Sequence, residues 1–371
     1  MNSSFESSFI FVVCQIGAEP ALKKEIARDH PELRFAYSKP GFLTFKKVEG
    51  KMDLQFALRS VFARAYGISL GAVPSASGDL EIAAIVQFAH ELRESHTGSG
   101  FRLHLWERDQ HPPGESPLGF QPGAIAQEFK IKLMAHSPEL FANPEKAEPG
   151  DIVLDLVALD KESLWMGAHM HSVIHSPWPG GAFPISLPDD SPSRAYLKLE
   201  ESLNWAGQWA GSPTRAGDTA VEIGSAPGGA SFALLQRGLR VVGIDPAEMD
   251  PKILRNPNFL HFQRPVASIP REELPESIQW LLLDMNVEPR ISLFAVDRLV
   301  SRMKDSVLGV ILTIKLNRWE IADEIPMMLA HVREMGMVRV KAAQLSHHRQ
   351  EIVIFGLTRK GTVRKGITPN A

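Results

Sequence analysis

The sequence predicts a doubly wound α/β domain over residues 193–371, preceded by two small α+β layers. Three observations carry this. After residue 193, short runs of Val, Ile and Leu alternate with helical spacings, the pattern of strands buried on both faces of a parallel sheet. Before residue 176, alternating strands mix with amphipathic helices. Between them lies SPWPGGAFPISLPDDSPS, 176–193, with Pro177, Pro179, Pro184, Pro188, Pro192 and the pair Gly180-Gly181. Such a stretch continues neither a helix nor a central strand. The expected division is therefore 1–75, an N-terminal α+β domain; 76–175, a second α+β domain; 176–192, a linker; and 193–371, the doubly wound domain. A chain of 371 residues has room for all of them.

In the first half, FIFVV (9–13) reads as a strand and EPALKKEIARD (19–29) as a helix. GFLTFKK (41–47) alternates like a strand. DLQFALRSVFARAYG (53–67) and LEIAAIVQFAHEL (80–92) have helical spacing. FRLHLWE (101–107) alternates, HPPGESPLGFQPG (111–123) reads as a long loop, and GAIAQEFKIKLMAHS (123–137) as a helix. DIVLDLVAL and SLWMGAHMHS (151–159, 163–172) read as a hairpin. In the second half the strands are TAVEIG (219–224), LRVVGID (239–245), WLLLD (280–284), GVILTIK (309–315) and EIVIFGL (351–357). Helices at SFALLQRG (231–238) and ADEIPMMLAHVREMG (322–336) fall between them.

Composition bounds the function. Hydrophobic residues make up 44% and charged residues 22%, which excludes a largely disordered chain. The single cysteine, Cys14, excludes an internal disulfide and a cysteine metal cluster and fits a cytoplasmic protein. The sequence holds no apolar run of about 18 residues, so no membrane partner is expected. The start, MNSSFESSFIFVVCQ, lacks a positive n-region and reads as a strand rather than a signal peptide. Net charge is −3, but residues 1–190 carry −7 and residues 191–371 carry +4. A phosphate-binding surface is thus expected mainly in the second half.

VEIGSAPGGASFALLQRG (221–238) is the most informative stretch. A strand ends at Glu222-x-Gly224, followed by Ala226-Pro227-Gly228-Gly229 and a helix. Such glycines allow a tight turn and close approach of backbone to a ligand at the carboxyl edge of the sheet. The spacing misses both the dinucleotide fingerprint and the P-loop. The next strand ends in Asp245, suited to ribose hydroxyls, and a third ends in Asp284. Together the three strand ends describe a nucleoside crevice, and S-adenosylmethionine fits it better than NAD. Lys198 follows the linker on a helix that Ser193 is placed to cap, Lys315 interrupts an apolar strand, and Glu351 opens the last one. A lysine inside such a strand points to chemistry. With a pKa lowered by burial, it would take the proton of a ribose 2′-hydroxyl.

Glu-x-Gly-x-x-Pro-Gly-Gly at 222–229 with Lys198, Asp284, Lys315 and Glu351 resembles the FtsJ-type 2′-O-ribose methyltransferases. PSRAYLKLEES (192–202), LLDMNVEP (282–289) and QLSHHRQEIVI (344–354) are similar, more narrowly, to the ribosomal RNA large subunit methyltransferase M family. The resemblance implies a THUMP-like region over 76–175 before a Rossmann-like methyltransferase domain, and 2′-O-methylation of a cytidine in 23S rRNA or its large-subunit precursor. It implies Lys315 as base, supported by Lys198, Asp284 and Glu351. It implies cofactor contacts at Ser193, Glu222, Gly224, Ala226, Pro227, Gly228, Gly229, Asp245 and Asp284, and no metal. The sequence departs from the family pattern at Glu222, usually Asp, at Ala230, usually aromatic, and in HFQRPVASIP (261–270), which carries no acid. Another RNA such as tRNA, or a non-catalytic RNA-binding role, remains an alternative. Lys23, Lys24, Lys46 and Lys47 are candidate RNA contacts in the acidic half. His169, His171 and His175 read as ordinary strand histidines. His347, His348 and Arg349 are candidate phosphate contacts, and RKGTVRKG (359–366) reads as a flexible basic tail.

Overall fold

A computed structural model describes residues 5–74, 79–109, 123–160, 163–303 and 305–365. The chain forms two compact units, Met1–Pro184 and Ile185–Ala371. The expected loop at 111–123 lies, except for Gly123, outside the described residues.

In the N-terminal unit the elements run β1 (Glu6–Ser7), β2 (Phe9–Val13), α1 (Glu19–Asp29), β3 (Leu33–Lys39), β4 (Phe42–Lys47), β5 (Met52–Asp53), β6 (Ala65–Pro74), α2 (Asp79–Glu94), β7 (Phe101–Glu107), α3 (Ala124–His136), α4 (Pro138–Phe141), β8 (Ile152–Ala158) and β9 (Ser163–Met170). Seven of the strands form one sheet in the order β3-β4-β2-β6-β9-β8-β7, and β1 pairs with β5. The segments on either side of residue 75 are therefore halves of one sheet rather than separate layers, joined where β6 pairs antiparallel with β9. The helix expected over 53–67 does not form. Its apolar spacing is real, since Leu54, Leu58 and Phe62 are all buried. Yet the backbone is irregular there, because the Glu25 carboxylate accepts the Val61 N–H at 2.8 Å and the Ser60 hydroxyl. Side chain-to-backbone bonds of this kind compete with a helix. Residues 176–184 of the expected linker also belong to this unit. Pro179, Gly180 and Gly181 are buried, and the Gly180 carbonyl accepts from Arg64 Nε at 2.7 Å.

The C-terminal unit runs α5 (Ala195–Ala210), β10 (Thr219–Ile223), α6 (Gly229–Gln236), β11 (Arg240–Ile244), α7 (Pro251–Leu254), β12 (Phe259–Phe262), β13 (Trp280–Leu283), α8 (Pro289–Arg302), β14 (Gly309–Lys315), α9 (Ile325–Glu334), β15 (Met337–Ala343), β16 (Glu351–Thr358) and α10 (Arg359–Lys365). Its sheet order is β12-β11-β10-β13-β14-β16-β15. The first five strands are parallel, and β16 runs antiparallel between β14 and β15. β10, β13 and β14 are buried almost throughout, which explains their continuous apolar sequences. β15, an edge strand of largely half-buried residues, carries no such signal. The chain leaves β10 toward β11 and returns on the other side as β13. That reversal opens a crevice at the carboxyl ends of β10 and β13.

The expected tail is not loose over its described part. Arg364 makes a two-pronged bond to Asp218 at 2.8 and 2.6 Å, and Asp218 also accepts from Trp280 Nε1. Thr362 is fully buried. Among the described residues, no helix is long and apolar enough to cross a membrane.

Candidate active site

The glycine turn and Asp284 meet at the crevice. Gly224 follows β10 at φ 82°, and a Cβ there would stand 2.5 Å from the Asp284 carbonyl oxygen. Any side chain would push the ends of β10 and β13 apart. Gly228 sits at φ 114°, and its Cβ would meet Met249 Sδ and Ile253 Cγ1 at 2.7 and 2.8 Å. Backbone conformation and packing against Met249 and Ile253 are by themselves enough to require glycine there. Gly229 lies against Ser193, whose Oγ accepts from Ala195 N at 3.3 Å, so Ser193 braces the start of α5 and touches the turn. Ala226 N donates to Asp245 Oδ2 at 3.1 Å, and Ala247 N to Asp245 Oδ1 at 2.8 Å. Pro227 O accepts from Asp250 N. Among the described residues no side chain caps α6, so its first N–H groups have no side-chain partner.

Lys198, Asp284, Lys315 and Glu351 close into a square. Lys198 Nζ lies 2.5 Å from Asp284 Oδ2 and 3.3 Å from Glu351 Oε1. Lys315 Nζ lies 2.8 Å from Asp284 Oδ1 and also bonds Glu351 Oε2. The four come from α5, the end of β13, the end of β14 and the start of β16, where Lys315 and Glu351 are cross-strand partners. The Glu351 side chain is 5% exposed, and the two lysines 17% each.

The alternation of charge decides the protonation states. Burial pushes the Lys315 pKa down, but Asp284 and then Glu351 push it up by more, so it ends above its ordinary value of 10.5. The sequence expectation of a lowered pKa is thereby corrected: without ligands Lys315 is an ammonium. Burial raises the Glu351 carboxyl, while Lys198, His348 and Lys315 outweigh burial and hold it down at about 2. Glu222 lies deeper. It is 2% exposed, accepts from Ser231 Oγ at 2.5 Å, and lines a small cavity with Lys198, Ser202, Leu282, Asp284 and Thr313. Burial, with Asp284 and Asp245 nearby, pushes its pKa up to about 8.

Sequence reasoning missed Glu201. It is fully buried on α5, and its carboxylate accepts Ser346 N at 3.1 Å, the Ser346 hydroxyl at 2.5 Å and His347 N at 2.8 Å. It anchors the turn that delivers Glu351. The signal was present: Glu201 falls four residues after buried Leu197, on the apolar stripe of the helix. His348 is fully buried in that turn, so it is no phosphate contact, whereas Arg349 is exposed. Burial, then Arg349, lowers the Arg194 pKa, so these two cations lie near each other.

A second group of titratable side chains lies inside the N-terminal unit. His169, His171 and His175 are each no more than 5% exposed, and one nitrogen from each lies within 4.8 Å of the other two. Asp155 Oδ2 is 2.6 Å from His169 Nδ1. Burial pushes His169 down to about 3 and His171 to about 4, and pushes Asp155 up to about 8.

Residues 192–366 match the FtsJ-like methyltransferase family. With the sheet order and the glycine turn, this match gives the C-terminal unit a Rossmann-like methyltransferase fold similar to that family's. Relatives named "Ribosomal RNA large subunit methyltransferase M" align with parts of this chain. The one from Sodalis glossinidius is 30% identical over 187 residues, 48% of this chain and 50% of the relative. The one from Halorhodospira halophila is 32% identical over 181 residues, again 48% and 50%. That from Pectobacterium carotovorum is 28% identical over 239 residues, 62% and 63%. The chain spans about half the length of the first two relatives.

Proposed function

We propose that this protein is an S-adenosylmethionine-dependent RNA ribose 2′-O-methyltransferase, acting in the cytoplasm on a cytidine of large-subunit ribosomal RNA. The observation that carries the reading is the closed Lys198-Asp284-Lys315-Glu351 square at the mouth of a nucleoside-type crevice. The crevice fits the cofactor: the uncapped α6 N-terminus suits its carboxylate, and Asp245 keeps a spare lone pair on each oxygen for ribose hydroxyls. When bound, S-adenosylmethionine supplies an electrophilic methyl group on a sulfonium.

The side chains handle the proton. An ammonium has three donors, and two of those on Lys315 go to Asp284 and Glu351. The third is left for a ribose 2′-oxygen, which it orients. In its neutral form Lys315 takes the hydroxyl proton and becomes the ammonium that the square is built to hold. The raised pKa supplies the driving force for that transfer and makes the reactive neutral form scarce, so turnover depends on pH. Lys198 fixes the two carboxylates from the opposite side.

The N-terminal unit, THUMP-like by sequence resemblance over 76–175, registers the RNA in this reading. The β3-β4-β2 end of its sheet offers exposed aromatic rings under cations. Lys23 Nζ lies 3.9 Å from the Phe35 centroid and Lys46 Nζ 5.6 Å from that of Phe9. Phe9, Phe35 and Tyr37 are exposed there. Stacking plus phosphate attraction is how such surfaces hold unpaired bases. Mapping ribose methylation across cellular RNA with and without the gene tests the whole reading. One 2′-O-methyl lost from the large-subunit RNA is expected; a loss confined to tRNA moves the substrate, and no loss anywhere removes the activity.

A further inference from the structure

We propose that the N-terminal unit is a metal-binding domain, holding one divalent first-row transition cation, zinc foremost, on His169 Nε2, His171 Nδ1 and His175 Nε2. The argument begins with the three ring nitrogens. Each is buried, and none has a hydrogen-bond partner among the described residues. One nitrogen from each ring lies within 4.8 Å of one from each of the other two. Buried polar atoms are nearly always paired. Three unpaired ones on rings clustered this closely are an arrangement that a shared ligand resolves.

The far sides of the rings set their orientation. His169 Nδ1 is held at 2.6 Å by Asp155 Oδ2, and with a cation bound this contact is an N–H donated to a carboxylate. That leaves Nε2 with its lone pair. His175 Nδ1 lies 3.1 Å from Ser172 Oγ, again leaving Nε2 as the free nitrogen. A carboxylate behind a ligating histidine fixes the tautomer and raises the basicity of the ligand, and the anionic Asp155 offsets part of the cation's charge. Asp155 is 2% exposed, with His104 Nδ1 at 3.8 Å on its other oxygen.

The backbone explains why these three meet. His169 is on β9, whose ladder places it opposite Val153, so it shares a sheet face with Asp155. His171 continues that ladder by donating its N–H to Asp151 O. A turn closed by His175 N to Ser172 O brings His175 back over the strand end, where its ring stacks on His169 at 4.5 Å and meets Tyr66 tilted at 4.5 Å. The metal would thus clip the turn to β9. Three imidazoles select borderline cations such as Zn²⁺ and Co²⁺ over Mg²⁺ or Ca²⁺, which take oxygen ligands.

The test uses the full chain, stripped with a chelator and dialysed against micromolar Zn²⁺ or Co²⁺. One equivalent of metal is expected, with the Co²⁺ form showing a tetrahedral visible spectrum and no thiolate band. His171→Gln and His175→Gln should each weaken zinc binding at least tenfold, and Asp155→Asn ten- to a hundredfold. His136→Gln, on an exposed residue of α3, should leave it unchanged. Failure of the wild-type protein to take up zinc overturns the proposal, as does undiminished uptake by folded His175→Gln protein. Should the variants unfold, the wild-type Co²⁺ spectrum decides alone: an octahedral spectrum or a thiolate band refutes histidine ligation.

Discussion

In the C-terminal unit two lysines and two carboxylates alternate around a square. In the N-terminal unit three imidazoles and the Asp155 carboxyl are buried together. Burial acts on both groups in the same sense, against charge. In the square each charge has two opposite neighbours, and attraction wins: Lys315 moves up and Glu351 down, both toward the ionised form. In the histidine cluster burial is the largest influence and nothing reverses it, so His169 and His171 move down and Asp155 up, toward neutrality. Depth alone does not set the chemistry of a buried group. The sign of what it faces does, and that suits the square to moving protons and the cluster to donating lone pairs.

The largest effect expected from breaking the square is on turnover. Lys315→Ala should lower methyl transfer by about 10²–10⁴-fold, the usual worth of a positioned base, while cofactor binding by calorimetry persists. In the wild type the rate should rise about tenfold per pH unit above neutrality, because only neutral Lys315 reacts and its pKa lies beyond that range. A variant with near wild-type turnover would place the base elsewhere.

Stability sharpens the contrast next. Glu351 drops from 4.5 unfolded to about 2 folded, so its contribution is complete above 4.5 and is lost as pH falls toward 2. Denaturant titrations should show about 3 kcal/mol disappearing over that window, and Glu351→Gln should remove the dependence. An unchanged acid limb in the variant would contradict the closed square.

Gly228→Ala tests the turn without touching a charge. The left-handed conformation and the crowding by Met249 and Ile253 should cost about 1–2 kcal/mol of stability, read by denaturant melts. Full stability with weakened cofactor binding would restore the ligand-approach explanation. Smallest of all, Lys46→Ala should weaken RNA binding modestly and lower the salt slope by about 1, seen in filter binding at several ionic strengths. No change in slope would exclude a phosphate contact at this lysine.

Legibility differed between the units for physical reasons. β10, β13 and β14 are buried on both faces, so their sequences are continuous apolar runs, and Lys315 stands out against one of them. The sequence order Lys198, Asp284, Lys315, Glu351 could be read because each sits at an element end. In the N-terminal unit the decisive contacts are long-range. The β6–β9 pairing that unites the sheet leaves no local mark. Residues 53–62 have helical apolar spacing but are held irregular by Glu25, far away in sequence. His175 meets His169 only through a turn with no regular period. Arg364 looked like a tail residue because its partner Asp218 is 146 residues distant.

The position of β16 has a consequence for synthesis. This last strand inserts between β14 and β15, both of which precede it in the chain. Until it emerges, β14 has an open flank, and Lys198 and Lys315 crowd a single carboxylate, Asp284. A nascent or prematurely terminated chain lacking residue 351 therefore carries an excess positive charge where the finished protein is balanced. Such a chain lacks one corner of the square, so the arrangement of Lys198, Asp284 and Lys315 closes only once Glu351 has been made.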